Sequence, residues 1–404
     1  MMNVSNSEFL KLAKGKAGDE NLMNFLQDVP DPRSTKNRVY PIFHILVIIL
    51  LGFSSGCTSV KTTCDEMKYK KRTLKSCFGI RKIPSHDTCS RVLRMLNPAF
   101  LNFVLWTWAG LLTEETISHI CFDGKAVKAA AKNKGKEGAE YPTYIMNAFN
   151  ADFAIFLGQK KVGEKSAEIS ILPSVIDLTY IEGNTVTADA MGTHSNIIQM
   201  ILERGGYFML PAKENQKNLI EDIKAILEDA RADREKDENR GIKKESFSDL
   251  DHGRYDIRSI EMAEVKDSSW FTDSDWKSVK SVIKVKRLST DRKTGKQSLQ
   301  EVYYITNRSC TCEEACTLIR DHWKCEVSHH ILDGEKFMED RSNCRNYNAI
   351  ENMAALRKIA FNLQRILEIR KGQANADFQP QRFLDHNTMA FKQLLEEPVP
   401  RFVA

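Results

Sequence analysis

Residues 118–127, SHICFDGKAV, form an apolar run that Asp123 interrupts near its end. A short run rich in β-branched and aromatic residues is typical of a strand. Further strand-like runs follow, and helix-like segments alternate with them. The strand-like runs are 144–162, which is long enough for two strands, 184–191 and 207–213, and the helix-like segments are 170–178, 194–205 and 217–236. Three strands, a helix, a strand, a helix and a strand in this order predict an open mixed α/β sheet.

The sequence on either side of this region has a different pattern of apolar residues. Residues 1–112 show apolar spacing typical of helices, with short polar links between them. Residues 241–309 contain runs that alternate like antiparallel strands, and helical patterns return after residue 313. We therefore predict a helical N-terminal domain at 1–112, an α/β domain at 113–372 with a β-rich insertion at about 241–309, and a peripheral tail at 373–404.

The charge of the chain is small overall but uneven. The net charge is +5 over 404 residues, and the first 116 residues hold 16 Lys and Arg against 10 Asp and Glu. A basic module beside a nearly neutral one suits binding to nucleic acid, although neutral proteins show excesses of this size by chance. The densest basic run, Lys68-Tyr69-Lys70-Lys71-Arg72, predicts a phosphate contact, with a solvated helix face as the alternative.

The sequence lacks the signals of a membrane or secreted protein. Its longest apolar run, residues 43–53, is about half of the ~20 residues that a membrane-spanning helix needs, so it predicts a buried helix. The N-terminus has no apolar stretch followed by a small-residue cleavage site, which predicts a cytoplasmic protein. Its ten cysteines are then expected to be reduced thiols. Cys310, Cys312 and Cys316 cluster, but without the paired CxxC spacing of common zinc sites.

Two aspartates come at the ends of strand-like runs. Asp123 follows Ile-Cys-Phe, and Asp189 follows Val-Thr-Ala. An ionised carboxylate at the inner end of an apolar strand carries a desolvation penalty unless a cation or strong donors satisfy it. A metal site is therefore one interpretation. A turn or helix cap is the other, and the sequence after Asp189 fits a cap as well.

A third carboxylate lies in a helix-like segment downstream. Residues 320–330, RDHWKCEVSHH, place Glu326 beside His322 and either His329 or His330 at helical spacing. Packing of this face against the sheet would point Glu326 inward. Three carboxylates suit Mg²⁺ or Mn²⁺, and two ions about 3.5–4 Å apart would complete such a site. The histidines also suggest a zinc hydrolase, but the sequence contains no HExxH motif.

A series of short motifs extends from about residue 28 to residue 367. These are 31–33 (DPR), 40–41 (YP), 54–56 (SSG), 83–88 (IPSHDT), 122–125 (FDGK), 164–166 (EKS), 187–191 (TADAM), 213–217 (KENQK), 252–254 (HGR), 303–305 (YYI), 320–326 (RDHWKCE), 332–333 (LD) and 339–340 (ED). In this order they resemble the H-repeat-associated insertion-sequence transposases, a branch of the DDE superfamily. The resemblance implies an RNase H-like mixed sheet flanked by helices as the catalytic core.

The resemblance also implies which residues act. Asp123, Asp189 and Glu326 carry over as the catalytic, metal-binding triad, with Mg²⁺ or Mn²⁺, two ions in all, as the cofactor. The candidates for binding DNA are Lys70, Lys71, Arg72, Lys125, Lys213, Arg254, Arg320 and His322. The chain departs from the family at Val327, where Asn is usual, and around Lys125, where the family tends to have an Arg.

The function implied is that of a DNA transposase that binds double-stranded DNA at the ends of its own insertion sequence. Metal-dependent cleavage and strand transfer would follow, with a homodimer on DNA as the expected assembly. One alternative is a catalytically inactive, transposase-derived DNA-binding protein. Another is an RNase H-like nuclease that cleaves without strand transfer, since it would share the same carboxylates.

Overall fold

The computed structural model describes residues 21–36, 38–113, 116–127, 143–162, 168–212, 216–236, 241–251, 253–334, 337–342, 344–370 and 388–398. The chain forms two compact units. The first unit comprises residues 1–116, 123–180 and 325–404, and the second comprises residues 117–122 and 181–324.

Helices and strands follow the predicted order. The elements are α1 (Leu22–Gln27), α2 (Ile42–Ser54), α3 (Val60–Tyr69), α4 (Lys71–Phe78), α5 (His86–Met95), α6 (Pro98–Thr113), β1 (His119–Val127), β2 (Thr143–Asn150), β3 (Ile155–Val162), α7 (Glu168–Leu178), β4 (Thr185–Ala188), α8 (Ser195–Glu203), β5 (Tyr207–Pro211), α9 (Lys217–Lys236), β6 (Lys243–Asp251), β7 (Arg254–Glu264), β8 (Ser281–Asp291), β9 (Gln297–Thr306), α10 (Cys312–Asp321), α11 (Trp323–Asp333), α12 (Tyr347–Arg370) and α13 (Thr388–Glu396). Strand β1 passes from the second unit into the first between Phe122 and Asp123.

Helix α2 is a core element of the first unit. Its residues 45–54 are all buried, which confirms the prediction of a buried helix. It packs against α12, which buries polar side chains as well as apolar ones. Gln364 of α12 donates a hydrogen bond to the carbonyl of Ser54 at 3.0 Å. Asn352 donates to two backbone carbonyls at the end of α5, each at 2.9 Å. The N-terminal helices and α12 therefore share one core.

Strands β2 and β3 form an antiparallel pair in the first unit. The side-chain amide of Asn362 on α12 bonds the backbone of Phe156 on β3 twice, accepting from its N–H at 2.9 Å and donating to its carbonyl at 2.7 Å. Gly158 lies directly under Trp106 of α6, where an added Cβ would come within 2.1 Å of the indole. Helices α6 and α12 thus both pack closely on β3.

The second unit is built on parallel strands that continue into an antiparallel set. The start of β1 pairs in parallel with β4, with Phe122 opposite Ala188, and β4 pairs in parallel with β5. Strand β9 pairs antiparallel with β5, and β8, β7 and β6 follow as an antiparallel series. The buried Cys312 and Cys316 pack among apolar side chains of this series. Burial raises the pKa of Cys312 to about 11, so this cluster behaves as part of the apolar core.

Hydrogen bonds join the nine strands of the described residues in the order β3-β2-β1-β4-β5-β9-β8-β7-β6. This confirms the predicted mixed α/β sheet with helices as well as strands in the fold. Among the described helices, no single one is long and apolar enough to cross a membrane. Helices α5 and α6 pass that test only when taken together across a bend of 86°.

A helix also forms in the C-terminal segment, where the sequence shows mostly loop signals. Helix α13 buries Phe391, whose ring meets the edge of Phe78 on α4 with centroids 6.2 Å apart. The carbonyl of Glu396 accepts a hydrogen bond from the side chain of Asn21 at 2.9 Å. The ten cysteines of the chain are free thiols.

Candidate active site

Asp123 lies in β1, at the start of the part of that strand that belongs to the first unit. Its side chain is partly buried, and its Oδ2 lies 3.2 Å from Nδ1 of His329 on α11. The Asn147 amide on β2 lies 3.4 Å from the Asp123 carbonyl. Asp123 is therefore in contact with a second strand and a helix of the first unit.

His329 is buried in the first unit and bonds through both ring nitrogens. Nδ1 faces Asp123, while Nε2 lies 3.1 Å from the side-chain nitrogen of Asn147. The ring stacks on Phe156, with centroids 5.8 Å apart and planes 17° from parallel. Burial lowers the pKa of His329, although Asp123 opposes this. The neutral tautomer with hydrogen on Nδ1 fits both contacts, because Nδ1 then donates to the carboxylate and Nε2 accepts from the amide.

Glu326 lies on α11, one helical turn before His329. The pKa of its partly buried carboxyl is raised, first by burial and then by the negative charge of Asp123, while His330 acts in the opposite direction. Two carboxylates that repel each other in this way form an environment that a bound cation would stabilise. The first unit therefore brings together two members of the predicted triad.

A buried ionic cluster lies beside this pair in the first unit. Lys125, two residues after Asp123, is 2.6 Å from Asp333 of α11 and also binds Glu339. Burial alone would raise the pKa of Glu339, but Lys125, Lys358 and Arg357 lower it to about 2. Lys125 was expected to contact DNA, but its ammonium group is buried between two carboxylates, so we remove it from the DNA-binding candidates.

Asp189 belongs to the second unit and is exposed. It directly follows Ala188, the residue paired with Phe122, just as Asp123 directly follows Phe122. The hydroxyl of Thr187 lies 2.7 Å from Nε2 of His119 and 2.9 Å from Nδ1 of His322. Burial lowers the pKa of His119 to about 3. The hydroxyl of Thr187, two residues before Asp189, is therefore within hydrogen-bonding distance of two histidines.

The remaining DNA-binding candidates occupy different positions. Exposed side chains that could reach a phosphate are Lys71, Arg72, Arg254 and Arg320. Arg320 lies 3.8 Å from Asp249 and 3.7 Å from Asp321, so it already has acidic neighbours. Lys70 and His322 are partly buried, and Lys213 lies outside the described residues.

Carboxylate oxygens of Asp123 and Glu326 are the donor type that Mg²⁺ and Mn²⁺ prefer, and the charge of Asp123 is close enough to contribute to the raised pKa of Glu326. Asp123, Cys325 and His329 also lie close enough together to be considered as a site for a softer metal. However, Asp123 faces Nδ1 of the imidazole while Cys325 lies 3.7 Å from Nε2. The three ligand atoms lie within 4.8 Å of one another, but the two partners approach different ring nitrogens, so a single ion would have to share one nitrogen of His329 with both.

Comparison with known proteins identifies the family. The family described as the transposase DDE domain matches residues 114–363, and a family described as associated with that domain matches residues 23–109. The first match covers more than half of the chain. The chain belongs to the transposase DDE domain family. The resemblance seen in the sequence motifs is thereby confirmed.

Two relatives show how far the similarity to other family members extends. The chain is 27% identical over 346 residues to the "H repeat-associated putative transposase YhhI" of Escherichia coli K12, covering 85% of this chain and 89% of YhhI. It is 26% identical over 363 residues to the "Putative transposase YncI" of Escherichia coli O157:H7, covering 87% of this chain and 89% of YncI. A piggyBac transposase synaptic complex with hairpin DNA aligns with a TM-score of 0.41 and 9% identity, over 96% of this chain and 80% of that one.

Sequence patterns alone did not indicate the roles of two residues in this DDE domain. Asn147 lies inside the apolar strand β2, where a fully buried amide is itself a signal that a polar partner is near. In the sequence, His329 is only one of several histidines near Glu326. Its contact with Asp123 joins residues more than 200 positions apart, so helical spacing could not predict it.

Proposed function

We propose that the protein is a DNA transposase that binds the ends of its insertion sequence and catalyses metal-dependent cleavage and strand transfer. The observation that supports this most directly is the meeting of Asp123 and Glu326 in a chain whose DDE domain spans residues 114–363. Membership of the family supports the class of reaction. The closeness of the two negatively charged side chains, Asp123 and Glu326, supports a site for a cation in the working enzyme.

Asp123, Asp189 and Glu326 are the proposed ligands of the ions. Bound Mg²⁺ or Mn²⁺ would activate water or a DNA 3′-hydroxyl and stabilise charge at the phosphate. The chain's own contribution is to hold the carboxylates in place. Asp123 is fixed by His329, and Asp189 follows the short buried strand β4, whose pairing with β1 sets where it ends.

Lys71, Arg72, Arg254 and Arg320 are the proposed contacts to DNA phosphates. Their side chains are exposed, and cations at the surface contribute affinity for DNA without reading its sequence. The proposed partners are the terminal repeats of the element and the target DNA, with a homodimer as the proposed assembly. The cytoplasm remains the predicted compartment.

The proposal can be tested with a labelled duplex that contains the end of the element. The full chain is incubated with Mg²⁺ or with EDTA, alongside Asp123→Asn, Asp189→Asn and Glu326→Gln. Glu313→Gln, an acid on the exposed first turn of the neighbouring helix α10, is the matched control. We expect nicking that needs Mg²⁺, persists in the control and is lost in the three variants, because each removes a charged ligand.

Other outcomes would favour the alternatives. Binding of the duplex by the parent chain without any cleavage would indicate an inactive DNA-binding protein. Cleavage that is never followed by joining of the 3′ end to a second duplex would indicate a nuclease. Nicking that survives in Asp189→Asn would remove that residue from the triad.

A further inference from the structure

The buried imidazole of His329 does more than fill space in the first unit. We infer that His329 is a positioning residue, which orients the Asp123 carboxylate for the divalent ion through the hydrogen on Nδ1. This inference rests on the proposed function, since it assigns a role at the same site. It concerns a residue that does not itself belong to the triad.

The contact with Asp123 has the geometry that such a role requires. Nδ1 lies 3.2 Å from Oδ2, within hydrogen-bonding distance of a single carboxylate oxygen. A carboxylate has two oxygens with several lone pairs, so a bond at Oδ2 leaves Oδ1 to act as a ligand. A fixed donor at one oxygen restricts rotation of the carboxylate about its last torsion angle. Partners of this kind orient a metal ligand before the ion binds.

The ring is itself held from its other sides. Nε2 accepts from the amide of Asn147 at 3.1 Å, and that amide also donates to the carbonyl of Ile145 at 3.1 Å. Phe156 covers one face of the ring at 5.8 Å. With β2 fixing one nitrogen and β3 covering the face, the imidazole cannot turn without breaking contacts. The direction of the Nδ1 hydrogen is therefore set by the fold.

The position of His329 in α11 adds a second consequence. His329 lies three residues after Glu326, so the two occupy neighbouring positions on one helix. A bond from His329 to Asp123 therefore ties β1 to the helix that carries Glu326. The bond from Lys125 to Asp333 joins the same strand and helix at 2.6 Å. The separation of the two carboxylates is thus set at two points.

The test compares two substitutions that are both neutral and polar. In His329→Asn the amide nitrogen occupies a place close to that of Nδ1, whereas in His329→Gln it lies close to that of Nε2. Binding of Mn²⁺ by the full chain is followed by the electron paramagnetic resonance signal of the free ion, in the presence and absence of the duplex. His86→Asn, at an exposed histidine of α5, serves as the control, and Asp123→Asn shows which binding belongs to this site.

We expect His329→Asn and the control to bind Mn²⁺ within a few-fold of the parent chain. In His329→Gln the dissociation constant should rise by about 10–100-fold, the range found when a partner of a metal ligand is removed. The thermal unfolding midpoint of each variant separates this effect from general damage. A purely structural role would change the unfolding midpoint and leave the Mn²⁺ affinity of the folded protein unaltered.

Two results would overturn the inference while leaving the proposed function in place. One is parental Mn²⁺ affinity in His329→Gln, and the other is an equal loss in the Asn and Gln variants. Absence of Mn²⁺ binding by the parent chain, with and without DNA, would instead refute the proposed function and the inference with it.

Discussion

Replacement of Lys125 by Met should destabilise the first unit strongly while leaving contact with DNA unchanged. The ammonium group of Lys125 is buried, lies 2.6 Å from Asp333 and also binds the fully buried Glu339. Met conserves most of the side-chain volume but removes the charge. The carboxylate of Glu339 would then keep only Arg357, at 3.7 Å, and the more distant charge of Lys358.

Two arguments give similar magnitudes for this loss. Removing one partner from a buried ion pair typically costs about 3–5 kcal/mol, because the other charge is left uncompensated. The pKa of Glu339 is lowered from 4.5 to about 2 by three cationic neighbours, which corresponds to roughly 3 kcal/mol of stabilisation from the three together, with Lys125 the largest contributor. Because the folded pKa is depressed, this stabilisation is present above pH 4.5 and is lost as the pH falls toward 2. We expect Lys125→Met to cost about 3 kcal/mol at pH 7.

Urea unfolding followed by circular dichroism measures this cost. Lys68→Met, which breaks an exposed ion pair with Asp65, is the matched control and should leave the unfolding midpoint unaltered. Adding Glu339→Gln to Lys125→Met should recover part of the loss, because the orphaned charge is then gone. A loss below about 1 kcal/mol would refute the account of the cluster. Weaker DNA binding by folded Lys125→Met would restore Lys125 as a phosphate contact.

Three further predictions concern packing, pH and DNA. Gly158→Ala should lower the free energy of unfolding in urea by about 1–3 kcal/mol, because its Cβ would come within 2.1 Å of an indole. Gly110→Ala, in open space within α6, should instead stabilise the protein by about 0.5–1 kcal/mol. Burial depresses the pKa of His119 to about 3, because it disfavours the charged imidazolium in the folded state. The stability of the folded state is therefore retained above pH 6.5 and decreases as the pH falls below that value. Lowering the pH to 5 should then cost about 2 kcal/mol in the parent chain and less in His119→Gln. The paired change of Lys71 and Arg72 to Ala should lower the slope of log affinity for DNA against log salt by roughly 2, and an unchanged slope would exclude both as phosphate contacts.

The parts of the fold that were predictable follow from local patterns. The apolar runs of β1 and β4 each lead to an aspartate, and the structure pairs the residues just before them, Phe122 with Ala188; β4 ends there, whereas β1 continues past Asp123 to Val127. Period-two and helical spacing fix such elements because they depend on residues close together in the chain. Glu326 could likewise be placed on a helix from spacing alone, although its closeness to Asp123 could not.

The pairing of distant segments was not predictable in this way. The antiparallel strands of 241–309 were expected as an insertion, but their hydrogen bonding to β5 through β9 depends on residues about 100 positions apart. The burial of Lys125 has the same origin, because its partners Asp333 and Glu339 lie some 200 residues downstream. Because local sequence does not reveal these partners, Lys125 is predicted to be a surface residue, and it was therefore a candidate for binding DNA.

Helix α12 is the clearest case of burial that its sequence does not predict. Its buried polar residues, Asn352, Arg357, Lys358, Asn362, Gln364 and Arg365, would suggest an exposed face if judged by composition alone. Each side of the helix meets a different part of the first unit: Gln364 bonds the end of α2, while Arg357 lies 3.7 Å from Glu339, the carboxylate that binds Lys125. The N-terminal helices and the strand that carries Asp123 are therefore packed through one helix. The change in sequence pattern near residue 112 lies between the two family matches, yet the core of the first unit includes residues on both sides of it. The N-terminal helices, which are proposed to bind DNA, therefore pack against the same helix that supports the site proposed to cut DNA.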